Sequence, residues 1–402
     1  MMQTGGTLSS SGKGNHFHRY LQYADTIVSS YKGNEPFHLF LKKYFSLNKK
    51  HGSKDRKTIS SLCYNYFRLG HGVMKVTNQT EKFLVSTFVC QNNPSLLLEF
   101  FKPAWNSVVS SPLYDKLSIV RNEFNAEKLF PFPGELSSEI DIRSFSLSFL
   151  IQPKLFIRIR PGYKDIVIGK IKKANVSFEE FNEICLSFSN TEKVSDIVNI
   201  DKEAIVQDYN SLRTLELLNP IIKNNDAEIE IWDCCGGSGG KSILAFDIFK
   251  NINLTVSDKR KNILDNLRLR FSKAGITNYK CAVIDLENTS AGIEHNVDLI
   301  IADVPCTGSG TWARTPEQLI FFRQNDIDTY ASLQKKIIEN SFLHLKSGGY
   351  LLYITCSVFA KENEENVVFI QQKLPVSLIK MEYLKGYKIQ ADTLFVALFK
   401  KS

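Results

Sequence analysis

From about residue 19 to 130 the apolar positions recur every three to four residues. Tyr20, Ala24, Ile27 and Tyr31 make one stripe; Phe37, Phe40, Leu41, Tyr44 and Phe45 make a second; Ile59, Leu62, Cys63, Tyr66 and Phe67 make a third. That period puts each set on one face of a helix, so the region is predicted to be a helical bundle. Between Leu62 and Arg68 the aromatics end on a basic residue, a pattern open to RNA stacking or to plain core packing. Pro131, Pro133 and Gly134 then punctuate the chain, and the texture changes to short β-like runs such as Leu155 to Arg160, followed by Pro161-Gly162. Residues from about 150 to 220 read as a small mixed α/β module. In it, Arg158 and Arg160 either turn guanidinium groups toward a phosphate backbone or lie on a solvated edge strand.

From about residue 226 the pattern alternates. Strands are predicted at 228–233, 253–257, 280–285, 297–303 and 349–355 with helical patterns between them, which implies a mostly parallel sheet covered on both faces. Residues 394–399 read as a further strand, pairing with 377–383 in an antiparallel closing hairpin. Polar groups fall at the strand ends: Asp233 before a glycine-rich turn, Asp258, Asp285, Asp303 with Cys306, and Thr355 with Cys356. Ligands of open α/β sheets bind at the carboxyl ends of the strands, so five ends converging on one edge mark a candidate site.

Three segments there carry chemistry. Cys306 and Cys356 each follow a run of apolar β-formers, and two thiols so placed suggest covalent catalysis. Cys234 to Ser242 is a glycine-rich turn leading into a helix, suited to close approach of a cofactor. It is not a phosphate-binding P-loop, which would need glycine where Cys235 stands, and the dinucleotide fingerprint spacing also fails.

Bulk properties narrow the class. At 402 residues the chain is long enough for two or three domains. There is no apolar run of membrane-spanning length, and the polar, Gly/Ser-rich N-terminus lacks the apolar centre of a signal peptide, which points to the cytoplasm. The eight cysteines have no paired metal-ligand spacing, so no metal is expected. The net charge of +8 is uneven: residues 1–150 hold 18 Lys+Arg against 11 Asp+Glu, residues 151–200 hold 8 against 6, and residues 201–402 hold 24 against 25. A basic accessory region beside a near-neutral reaction domain fits a polyanionic substrate, though a solvated basic surface has the same composition.

With these residues assembled, the chain resembles the Sun/Fmu (RsmB-like) family of RNA cytosine-5 methyltransferases, in particular the bacterial enzymes of small-subunit ribosomal RNA. Cys235 to Lys241 (CGGSGGK) stands where that family has Cys-Ala-Ala-Pro-Gly-Gly-Lys. Asp303 to Glu317 (DVPCTGSGTWARTPE) looks like its Asp-x-Pro-Cys-Ser-Gly-x-Gly block, and Tyr353 to Glu364 (YITCSVFAKENE) like its Thr-Cys-Ser block. Val206-Gln207-Asp208 with Ser211 resembles the segment that precedes the family's cofactor domain. Two departures are Gly236-Gly237-Ser238 in place of Ala-Ala-Pro, and Ala313 where an arginine is common.

The resemblance implies a Rossmann-like class I methyltransferase domain over 226–402, preceded by a flexible N-terminus (1–18), a helical NusB-like RNA-binding domain (19–145) and a small α/β linker module (146–225). It implies S-adenosyl-L-methionine as cofactor, held by Cys235, Gly236, Gly237, Ser238, Gly239, Gly240, Lys241, Asp258, Asp285 and Asp303, with Glu287 an alternative to Asp285. By the same resemblance Cys356 is the nucleophile, Cys306 assists resolution of the adduct, Asp303 holds the cytosine edge and Lys241 donates to base or cofactor. The helix beginning at Glu362-Asn363-Glu364 would favour a thiolate nearby through its dipole. RNA is the expected partner and a monomer the expected state. A transfer RNA substrate and a non-catalytic assembly factor stay open. A DNA cytosine methyltransferase, in which Cys306 would attack, is disfavoured because only 36 residues follow Asn366, too few for a target-recognition segment.

Overall fold

The computed structural model describes residues 10–74, 77–219, 221, 228–249, 251–288 and 292–402. The chain divides into two compact units, each assembled from three stretches. The first comprises 1–133, 142–152 and 312–322; the second comprises 134–141, 153–311 and 323–402. No helix among the described residues is long and apolar enough to cross a membrane.

The first unit is helical: α1 (Ser10–Ser30), α2 (Phe37–Leu47), α3 (Ser53–Arg68), α4 (Gln79–Cys90), α5 (Leu96–Phe101), α6 (Pro103–Ser107), α7 (Leu113–Ile119) and α8 (Ile142–Ser148). Helix α1 begins inside the 1–18 stretch expected to be flexible, of which residues 1–9 lie outside the described residues. The predicted stripes meet in one core containing Ala24, Ile27, Phe37, Leu41, Ile59, Leu62 and Phe67. Asp55 starts α3 by accepting from the Gly52 N–H at 3.0 Å, and the Asn78 side chain caps α4 by accepting from the Glu81 N–H at 2.9 Å. Arg68 is buried, donating to the Phe149 carbonyl at 2.8 Å and to Gln152 Oε1 at 2.9 Å, and Phe67 beside it is core while Tyr64 and Tyr66 are half-buried against that core.

Residues 312–322, inside the 226–402 stretch read as the methyltransferase domain, pack as part of this helical unit. The Phe321 ring lies 5.0 Å from Tyr31 and 6.0 Å from Phe67, and the Trp312 ring packs tilted against Phe322 at 4.9 Å. Aromatic burial draws the segment in.

The second unit holds two sheets. Strands β1 (Leu155–Ile159), β2 (Glu179–Asn182), β3 (Cys185–Phe188) and β4 (Ala204–Val206), with α9 (Lys164–Lys173), form an antiparallel sheet of order β2-β3-β1-β4. Arg158 on β1 and Arg160 just beyond its end are turned away from solvent. Both are buried and share Asp247, at 2.5 Å and 2.8 Å, while Arg160 also donates to the Ala274 carbonyl at 2.6 Å. The large sheet contains β5 (Ile229–Asp233), β6 (Ile252–Asp258), β7 (Tyr279–Val283), β8 (Val297–Asp303), β9 (Leu345–Thr355), β10 (Val376–Leu384) and β11 (Leu394–Lys401) in the order β10-β11-β9-β8-β5-β6-β7. β5 to β9 pair in parallel, and β11 enters antiparallel between β9 and β10.

Alternate residues feed separate cores on the two faces. Ile231, Val256, Ile301 and Ile354 lie in one, and Trp232, Ile300, Ala302 and Tyr353 in the other. Helices α10 (Tyr209–Arg213), α11 (Gly240–Ile248), α12 (Lys261–Ala274), α13 (Asn325–Phe342) and α14 (Glu364–Lys373) complete the unit. The strand order reverses at β5, between β6 and β8, and such a switch point opens a crevice at the carboxyl edge. The expected boundary at 225/226 lies outside the described residues.

Candidate active site

β5 ends at Asp233, and the chain turns through 234–239 into α11. The Gly236 N–H donates to the Ser257 carbonyl at 2.9 Å, which brings the loop so close to β6 that a Cβ at 236 would lie 2.2 Å from Val256 Cγ1. Gly239, at φ +86°, starts α11 from a left-handed conformation. The Gly237 N–H donates to Asp258 Oδ2 at 3.2 Å, while Arg260 spans both oxygens of that carboxylate at 3.0 Å each. Burial alone would raise the Asp258 pKa, but the Arg260 hydrogen bonds outweigh it and hold the carboxyl below its ordinary range.

A cavity of about 700 Å³ opens at these strand ends within the second unit. Cys235, Gly237, Asp258, Asp285, Asp303, Cys306 and Cys356 line it, as does Glu287. Gly236, Ser238, Gly239, Gly240 and Lys241 do not. Ser238 is exposed, and its carbonyl accepts from Arg270 at 2.8 Å, whereas Lys241 lies against the wall through a 2.6 Å bond to Asp303 Oδ2. β7 ends at Val283, so Asp285 sits past the strand end that was predicted for it. There its carboxylate organises the turn, accepting from the Glu287 N–H at 3.1 Å and Asn288 Nδ2 at 2.8 Å.

The two thiols meet. Cys306 Sγ and Cys356 Sγ lie 3.2 Å apart, and the Cys356 N–H points at Cys306 Sγ from 3.4 Å. The neighbouring Cys356 sulfur, then burial, pushes the Cys306 thiol well above its ordinary pKa. Burial pulls the Lys241 ammonium down, but Asp303 outweighs it and the Cys356 sulfur adds to the upward shift, so Lys241 remains a cation beside the thiols. Behind the glycine loop, Asp233 is fully buried and accepts from Ser242 Oγ; burial raises its pKa to about 7.

A hydroxyl cluster supports the thiol loops. Thr307, Ser309 and Ser357 approach one another at 3.2 Å, with the fully buried Glu362 carboxylate among them. That carboxylate accepts from the Thr307 N–H at 2.9 Å, Thr307 Oγ1 at 2.6 Å, Gln334 Nε2 at 2.8 Å, and Ser357 Oγ. Glu362 therefore closes a 3₁₀ turn beneath the cysteines, and α14 starts only at Glu364. The helix expected to begin in the run Glu362-Asn363-Glu364 thus begins at its last residue, with Glu362 in the turn before it. Burial raises the Glu362 pKa, and its charge contributes to raising that of Cys306, the opposite of what a helix dipole would do.

Sequence reasoning also passed over Arg260, although it stands only two residues from Asp258, and Tyr330, Leu333 and Ile337, which line the cavity from α13 at helical spacing. With Ile284 and Leu286 these supply apolar wall, while Asp258 and Asp303 supply acceptors. A nucleoside with a cationic sulfonium fits such a mixed wall, so the residues present suit S-adenosylmethionine.

Residues 217–398 match the family model described as 16S rRNA methyltransferase RsmB/F. The ribosomal RNA small subunit methyltransferase B of Cronobacter sakazakii is 31% identical over 174 residues, covering 42% of this chain and 38% of that protein. The small subunit methyltransferase F of Shewanella piezotolerans is 25% identical over 155 residues, covering 38% of this chain and 33% of that protein. The matched stretches thus span well under half of these relatives. Among solved structures, the crystal structure of PH0851 superposes with TM-score 0.69 at 18% identity, covering 95% of this chain and 98% of that one. A methyltransferase homolog protein from Pyrococcus horikoshii gives TM-score 0.55 at 19% identity, covering 67% and 92%. At those identities the likeness is one of fold.

Proposed function

We propose, from the match of residues 217–398 to the RsmB/F methyltransferase family model, that this chain methylates carbon 5 of a cytosine in small-subunit ribosomal RNA, with S-adenosylmethionine as donor. The observation that carries the reading is the pair of sulfurs 3.2 Å apart on the wall of a cavity that also holds Asp258 and Asp303. Carbon 5 of cytosine is a poor nucleophile. A Cys356 thiolate adding to carbon 6 forms a sulfur–carbon bond and makes carbon 5 electron-rich. Bound S-adenosylmethionine supplies an electrophilic methyl group there.

Asp303 accepts from the cytosine edge, and its bond to Lys241 fixes its direction and counters its charge. Lys241 also places a positive charge beside the Cys356 sulfur. Resolution requires the carbon 5 proton to leave and the Cys356 sulfur–carbon bond to break, restoring the ring. Cys306 assists this step, since its sulfur touches that of Cys356. The target base must be unstacked to enter, which favours a single-stranded or opened RNA segment.

Incubation with labelled S-adenosylmethionine and unmodified small-subunit ribosomal RNA is expected to label cytosine. Cys356→Ala should abolish transfer, whereas Cys306→Ala should accumulate a protein–RNA adduct that survives denaturation. Adduct formation by Cys356→Ala but not by Cys306→Ala would reverse the two roles. Label on transfer RNA alone would move the substrate class, and no label on any RNA would leave a binding protein.

A further inference from the structure

The two sulfurs come from loops 50 residues apart in sequence that follow the paired strands β8 and β9, a pairing that brings the loops side by side without fixing the 3.2 Å between the sulfurs. Besides the Gly310 N–H bond to the Cys356 carbonyl and the Thr307, Ser309 and Ser357 hydroxyl contacts, one buried side chain bonds to both loops at the residues next to the thiols. Oε1 of Glu362 accepts from the Thr307 N–H and Gln334 Nε2, and its Oε2 accepts from Thr307 Oγ1 and Ser357 Oγ. Thr307 directly follows Cys306 and Ser357 directly follows Cys356, so a single carboxylate holds the residue just beyond each thiol, Thr307 by its N–H and hydroxyl and Ser357 by its hydroxyl. Gln334 adds a third point, donating to the Pro305 carbonyl at 3.0 Å, immediately before Cys306. Four donors on a fully buried carboxylate fill its acceptor capacity and fix its orientation.

We propose that Glu362 is a positioning residue that sets the separation of the Cys306 and Cys356 sulfurs by joining the residues that follow them. It touches neither base nor cofactor; it acts through the two loops. The inference rests on the proposed roles of those thiols. Reach, more than charge, is what the clamp requires: an amide of the same length still accepts from the Thr307 N–H, and its NH₂ can donate to the hydroxyls of Thr307 and Ser357, which rotate to accept. A carboxylate one methylene shorter cannot span both loops.

Two readouts on the full chain test this. The first needs neither RNA nor cofactor: bridging of Cys306 and Cys356 by dibromobimane, located by mass spectrometry to the two cysteine peptides. The second is methyl transfer under saturating cofactor, resolved into kcat and KM for RNA. Glu362→Ala and Glu362→Asp are expected to lose most of the bridge and to lower kcat by about 100-fold with KM for RNA changed by no more than about twofold, because misplacing reacting groups by about 1 Å costs that much. Glu362→Gln should recover most of both. Should Glu362→Ala not fold, the Asp and Gln variants carry the comparison. Wild-type bridging and kcat in Glu362→Asp would overturn the proposal, as would a Gln variant as impaired as the Asp variant. If wild type bridges but transfers no methyl group, the catalytic reading fails while the bridging series still decides whether Glu362 sets the spacing.

Discussion

At the scale of single residues, the buried carboxyl at Asp233 makes stability depend on pH. Its pKa rises from 3.8 to about 7 on folding, chiefly through burial, so the folded chain binds this proton more tightly than the unfolded one. The stabilisation is therefore complete below about pH 4 and is lost as pH rises through about 7, in total about 4 kcal/mol. The difference in unfolding free energy between wild type and Asp233→Asn should shrink by that order between pH 4 and 7 in denaturant titrations; a constant difference would contradict it. Which residues could be read beforehand depends on how local their partners are. The glycine turn, Asp258, Asp303 and both cysteines were legible because each ends an apolar run that the same stretch of sequence defines. The Glu362 clamp was not: its donors Thr307 and Gln334 lie 55 and 28 residues away, and only the folded sheet brings them near.

Among elements, the strand and helix alternation after residue 226 was legible because parallel strands buried on both faces have few polar interruptions. β9 begins at Leu345, earlier than its predicted start at 349, because Ser347-Gly348-Gly349 reads as a break. The strand passes through it with Gly348 at φ +75° and a register shift against β8. The arginines of β1 were misjudged for a related reason. Asp247, on α11, lies 89 residues from Arg158, so no local pattern reveals that the strand is internal. This triad joins the small sheet to the helix that follows the glycine loop. Asp247→Ala strands two buried guanidinium groups and should cost about 3–5 kcal/mol in chemical denaturation. A loss below about 1 kcal/mol would show that the arginines find other partners or water.

Across the whole molecule, the division into two units does not follow the order of the chain. The Asp303–Glu317 motif is itself split: Thr311 closes a stretch of the α/β unit, and Trp312 opens the stretch that completes the helical one. Neither unit can be cut out at a single point. Apolar periodicity assigns residues to helices and strands, but it carries no sign of which core will take an aromatic segment such as Trp312 to Phe322.

An N-terminal module commonly closes while the ribosome is still adding the later domains. Here the helical unit stays short of Trp312 and Phe321 until residues 312–322 have been made. Nascent chains arrested before residue 312 has emerged should therefore remain open to protease in the region of Tyr31 and Phe67, and those arrested after residue 322 has emerged should gain protection. Equal resistance in both would mean that the early helices settle without their late-arriving aromatic plug.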